Sequence, residues 1–183
     1  MCRKHCSKKS VSPFLDAKWP EPLTVLRPMT SRNDIFETAC IEEFAFLTSF
    51  GFVLIESVKD NFGCRLTYNN STSAIKIKLD RAIITVDYYI LKDGEIPKHP
   101  IFFNSDEEFL VFDLNDLLIL KTDKKIDQDY KLMYQEEYMK KKIKEFAVML
   151  QRYGADFLSG DFSLLPQIKD KVVRRAKELE HEQ

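Results

Sequence analysis

Acid–base catalysis near neutral pH most often uses a histidine held in place by a second polar group. The chain has three, His5, His99 and His181. One lies near the N-terminus, one between Pro97 and Pro100, and one stands third from the end. None has a neighbourhood that would orient a general base, so no Ser-His-Asp or Cys-His arrangement is recognisable. Gly51, Gly63, Gly94, Gly154 and Gly160 are scattered and match no phosphate-cradling loop. Two carboxylates brought together by the fold are the catalytic chemistry that stays open.

Cys2, His5 and Cys6 are spaced closely enough to supply three ligands to one ion. Zinc ordinarily takes a fourth ligand, and structural sites use paired knuckles. Cys40 and Cys64 are single and fall at core-facing positions, so the expectation is no metal, no cofactor and no disulfide framework.

Two charged arrays bear on binding rather than catalysis. From Ile101 to Leu120 the chain carries Asp106, Glu107, Glu108, Asp113 and Asp116 without a single Lys or Arg, interleaved with Phe102, Phe103, Phe109 and Phe112. Carboxylates around aromatic anchors, with Phe109 among them, would suit a basic protein partner. The same residues are equally the makings of an aromatic core segment followed by an acid-capped helix. Arg65, Lys76 and Lys78 share the outer face of neighbouring strands, where a basic sheet can bind nucleic acid if aromatics interleave. Tyr89 is the main outward aromatic, too little for stacking, and a solvated sheet face explains the lysines as well. Lys140, Lys141, Lys142 and Lys144 read as the polar side of a helix, with Glu136, Glu137 and Glu145 nearby.

The elements that position these residues follow from periodicity. Residues 1–30 carry Pro13, Pro20, Pro22 and Pro28, six Lys or Arg and no periodic apolar face, which predicts a flexible basic tail. Residues 31–183 read as a single α+β domain. Phe36, Cys40, Phe44 and Leu47 recur at helical spacing, predicting a helix over 34–49 with Asp34 and Glu37 as its capping box and Gly51 as its stop. The period then changes to two: Phe52, Leu54 and Val58; Phe62, Cys64, Leu66 and Tyr68; Ile75, Ile77 and Leu79; Ile84, Val86, Tyr88 and Ile90. Four such runs predict a four-stranded antiparallel meander. A two-residue turn at Asp80-Arg81 would pair Ile77 with Ile84, Ile75 with Val86 and Lys76 with Thr85.

After Pro97 and Pro100, a short extended piece over 109–112 should lead into a brief helix over 113–120. A long helix is expected over 129–153, with Leu132, Met139, Ile143, Phe146, Leu150 and Tyr153 on its apolar stripe and Gly154 at its stop. Ser163 opens a last helix carrying Leu165, Ile168, Val172, Ala176 and Leu179. The C-terminal helices should pack on one sheet face, leaving the other at least partly wet.

Composition agrees with a globular chain: 44% apolar and 31% charged residues, with a formal net charge of −1 that favours neither nucleic acid nor an anionic membrane. No run is long enough to span a bilayer, which together with the cysteine usage predicts a cytoplasmic protein.

From about Cys40 to Leu179 the order of elements resembles a group of small bacterial proteins similar to toxin-immunity proteins. The stretches that carry the likeness are FAFLTSFGFVLIES, NFGCRLTYNN, AIKIKLDRAIITVDYY, FLVFDLNDLLIL and YGADFLSGDFSLLPQIK. The resemblance implies a non-enzymatic module that binds and neutralises a protein partner; it carries no site residues over.

Overall fold

A computed structural model describes residues 31–98 and 108–181. The expected tail, including Cys2, His5 and Cys6, lies outside the described residues, as do His99, Phe102, Phe103, Asp106 and Glu107.

Helix α1 spans Arg32–Glu43. Its N-cap is Ser31, one turn earlier than the expected Asp34 box. The Ser31 hydroxyl accepts from the Asp34 amide and the Asp34 carboxylate accepts from the Ser31 amide, each at 3.1 Å. Asp34 thus serves as the third residue of the box instead of its cap. The helix tightens into a 3-10 turn over Ala45–Phe50, which Gly51 ends with φ +76. Phe36, Cys40, Phe44 and Leu47 are all buried, as their spacing predicted.

The strands are β1 (Val53–Lys59), β2 (Gly63–Asn69), β3 (Ser73–Asp80), β4 (Ile83–Ile90) and β5 (Val111–Asp113), antiparallel in the order β1-β2-β3-β4-β5. The meander therefore has five strands, not four, the fifth being the extended piece before the brief helix. The expected β3–β4 register is also corrected: Ile77 faces Val86, Ile75 faces Tyr88 and Lys76 faces Asp87. The turn sits at Arg81-Ala82, with Arg81 in the left-handed region at φ +52. A two-residue slip keeps every side chain on its own face, so apolar alternation reads the face and is blind to this shift.

β1 departs from its expected pattern in a different way. A bulge between Leu54 and Glu56 reverses the alternation, so that Ser57 faces Leu66 of the inner layer and Val58 faces Arg65 of the outer one. Val53, Leu54 and Ile55 are left exposed on this edge strand.

Helices α2 (Leu114–Thr122), α3 (Glu136–Tyr153), α4 (Ala155–Leu158) and α5 (Leu165–His181) complete the chain. The core lies between the helices and the inner sheet face. Leu66, Ile75, Ile77, Val86 and Tyr88 meet Phe36, Ile143, Phe146, Leu150, Phe157 and Ile168 there. Phe112 stacks on Tyr88 with ring centroids 5.2 Å apart, and Phe157 packs edge-on against Tyr88 at 5.7 Å. The Tyr88 hydroxyl donates to the Phe157 carbonyl and lies 2.9 Å from Ser73 Oγ. Ionic contacts fasten helix to sheet: Lys59 of β1 reaches Asp34 and Glu37 of α1, holding both carboxyls below their usual range.

The outer face is only partly wet. Ala74, Tyr89 and Val111 are buried there beneath Leu91, Ile96 and Leu110, forming a second, smaller apolar cluster.

Candidate functional site

Of the acidic segment, residues 108–120 are described. Phe109 and Phe112 are buried. Asp113 is the N-cap of α2 and accepts from the Asn115 amide at 2.7 Å. Asp116, three residues on, closes the capping box and is ion-paired to Arg175 of α5 at 2.7 Å. Glu108 is exposed and paired with Lys92 at 2.7 Å.

The basic sheet face is a mixed-charge network. Arg65 stands opposite Lys78, and Thr67 opposite Lys76. Lys78 is ion-paired with buried Asp87, and Arg65 lies 3.5 Å from Glu56. The Lys76 ammonium sits 4.5 Å from the ring centroid of buried Tyr89. Burial, and then repulsion from Arg65 and Lys78, lowers the pKa of Lys76. The expected outward aromatic is thus covered, and the lysines of this face are largely spoken for.

Asp87 and Asp113 face each other on β4 and β5. Desolvation, and then the charges of Asp87 and Asp116, push the Asp113 carboxyl up to about 6. Among the described residues no group of three or more His, Cys, Asp or Glu side chains could hold a metal ion. No described helix is long and apolar enough to cross a membrane.

Among the described residues, the most exposed large aromatic side chains converge elsewhere, at the end of the sheet where the β1–β2 and β3–β4 turns meet. The Asp60 carboxylate accepts from the Phe62 and Gly63 amides, at 2.7 and 2.9 Å, and folds the first turn tightly enough to expel Phe62. The Arg81 amide donates to the Phe62 carbonyl at 2.7 Å, which joins the two turns. Asn33 of α1 donates from its side chain to the carbonyls of Asp60 and Gly63, both at 2.9 Å. Phe62, expected as the first inward residue of its strand, is instead 63% exposed.

The connection from α2 to α3 covers one side of this end. Gln128 places its side-chain amide against the backbone of Ile84, accepting from its N–H and donating to its carbonyl at 2.8 Å each. Asp129 then accepts from the Lys131 and Leu132 amides, starting a 3-10 turn over Leu132–Tyr134 that buries Met133. The long helix therefore begins at Glu136, not near Asp129, and Leu132 is exposed instead of lying on its apolar stripe. Tyr130 and Tyr134 flank the anchored Met133 and stand 61% and 64% exposed.

Phe62, Ile83 (55% exposed), Tyr130 and Tyr134 line one concavity of about 890 Å³ with Arg81. A cation sits against each ring: Arg81 at 5.9 Å from Phe62, Lys131 at 5.8 Å from Tyr130 and Arg32 at 4.6 Å from Tyr134. Tyr130 and Lys131 also border a more open depression of about 1000 Å³ along α3. Sequence reading passed over this surface because Phe62 continued a period-two run and Tyr130 lay inside an assumed helix. The signal that was available is Asp129, whose type favours capping a new turn over continuing a helix. Comparison with known proteins finds no family model, no curated protein and no solved structure that significantly matches the chain.

Proposed function

We propose that this chain is a non-enzymatic protein-binding module that acts by occluding its partner, as an immunity protein neutralises a toxin. The observation that carries the reading is the convergence of Phe62, Ile83, Tyr130 and Tyr134, each more than half exposed, around one concavity. Leaving three aromatics and an isoleucine in water is unfavourable by about 25 cal/mol per Å² of apolar surface, a cost that association removes. Aromatic anchors beside arginine are the composition of interface hot spots.

Photo-crosslinking in extract of the source cells tests this. A benzophenone side chain placed at Phe62 or Tyr134 should capture one discrete protein, while the same group at exposed Gln151 on α3 should not. Equal or absent adducts at all three positions would remove the reading.

A second reading, an enzyme with a carboxylate pair, has one observation in its favour: the raised pKa of Asp113 beside Asp87. The N-cap role of Asp113 and the Lys78 partner of Asp87 account for both carboxylates without chemistry.

A further inference from the structure

We infer that residues 19–30 of the chain itself occupy the sheet-end concavity until a protein partner displaces them. This rests on the protein-binding reading and adds a regulator of that site. The described chain begins beside the concavity. Ser31 caps α1, and the next two residues touch both of its walls. The Arg32 guanidinium lies over the Tyr134 ring, 4.6 Å from its centroid. The Asn33 side chain donates to the Asp60 and Gly63 carbonyls, which belong to the Phe62 turn. Residues 19–30 thus join the domain at the rim of its exposed aromatic surface.

Their composition suits that surface. Trp19, Leu23, Val25, Leu26 and Met29 are apolar, and the charged residues of the stretch, Glu21 and Arg27, cancel. Around the concavity Asp60, Asp80 and Asp129 likewise offset Arg32, Arg81 and Lys131. The surface therefore selects apolar shape and not a sign of charge. Pro20, Pro22 and Pro28 restrict the backbone in advance, which lowers the entropy lost on docking. Exposed tyrosine and phenylalanine rings are surfaces on which extended, proline-containing segments dock. At about 3.3 Å per residue, residues 23–30 extend about 26 Å, roughly twice the width of a round cavity of 890 Å³. A contact with an affinity of about 0.1 mM, held at an effective concentration of about 1 mM, stays made about ten times as often as it is broken. A tethered segment of that strength fills the site and still yields to a tighter partner.

The test is photo-crosslinking of the purified full chain with a benzophenone side chain at Phe62. Mass spectrometry of the tryptic digest should find position 62 joined, within one chain, to the peptide that follows Lys18. The double variant Leu23→Ser with Leu26→Ser should cut this adduct about tenfold, which mere collision of a tethered segment would not show. Trp19, the chain's single tryptophan, reports independently. Its emission should move to longer wavelength in Tyr134→Ala and stay unchanged in Val148→Ala. In extract of the source cells, capture of a protein at position 62 should rise in the double-serine variant. If position 62 captures a protein from extract but forms no adduct within the chain, the inference fails and the protein-binding reading stands. An internal adduct with no capture from extract removes that reading, and the regulatory role with it. An adduct unchanged by the two serines, an adduct joining two chains, or an unmoved Trp19 emission in Tyr134→Ala would each overturn the inference.

Discussion

Asp87 on β4 and Asp113 on β5 stand directly opposite in the antiparallel ladder, and only Asp87 has an ion-pair partner among the described residues, Lys78. Like charges in this position oppose each other. The consequence falls on Asp113, whose carboxyl is pushed up to about 6 by desolvation and by the charges of Asp87 and Asp116.

The pH dependence follows with a definite sign. Between about pH 4 and about pH 6 the folded state keeps a proton on Asp113 that the unfolded chain has released. Stability from this group therefore falls as pH rises through that window, and the full cost is borne above it. Asparagine caps a helix as well as aspartate does. Asp113→Asn should be more stable than the natural chain near neutral pH by about 1–2 kcal/mol, and no more stable near pH 4. Urea unfolding at both pH values checks this; an equal difference at both would contradict it.

Ile77 and Ile83 make a second comparison within one hairpin. Ile77 is fully buried, so Ile77→Ala should cost about 2–5 kcal/mol. Ile83 lies beside the turn and is more than half exposed, so Ile83→Ala should stay within about 0.5 kcal/mol. Thermal melts of the two variants give the answer directly.

These two residues also show how far the sequence could be read. Period-two alternation gave the correct face for Ile75, Ile77, Ile84 and Val86, and helical spacing gave the correct face for Phe36, Cys40, Ile143 and Phe146. It could not distinguish a turn at Asp80-Arg81 from one at Arg81-Ala82, because both put the same residues inside. The bulge after Leu54 has no composition of its own, so the reversal from Ser57 to Val58 was hidden. The candidate site escaped for a related reason. Phe62, Tyr130 and Tyr134 are exposed because Asp60 and Asp129 fold local turns, and a hydrophobicity pattern counts aromatics as inward by default.

Gly63 tests how closely the strands approach at that end of the sheet. A Cβ there would lie 1.6 Å from the Leu79 carbonyl oxygen, which belongs to the neighbouring strand and cannot swing away. Gly63→Ala should cost at least about 3 kcal/mol or prevent folding. Gly51→Ala meets no atom within 4 Å and bears only the strain of its φ of +76, so about 1 kcal/mol is expected. Similar melting temperatures for the two variants would contradict the register of β2 against β3.

Tyr88→Phe isolates one buried hydrogen bond. Removing the hydroxyl leaves the ring stacked on Phe112 but takes the donor from the Phe157 carbonyl. A loss of about 0.5–1.5 kcal/mol is expected from chemical denaturation, since the carbonyl keeps the Gly160 amide at 3.1 Å and loses only its second donor. No loss would mean that water replaces the hydroxyl at that carbonyl.

The central claim is that the chain works by holding another protein against the Phe62, Ile83, Tyr130 and Tyr134 surface. The most direct measurement is the dissociation constant of the crosslink-identified partner for three chains: natural, Tyr134→Ala and Val148→Ala. Val148 is also exposed but lies on α3 outside that concavity. Loss of an aromatic anchor should cost about 2 kcal/mol or more, which is roughly a thirtyfold weaker complex, while Val148→Ala should bind as the natural chain does. Equal affinity for all three chains, with folding intact, would contradict the account.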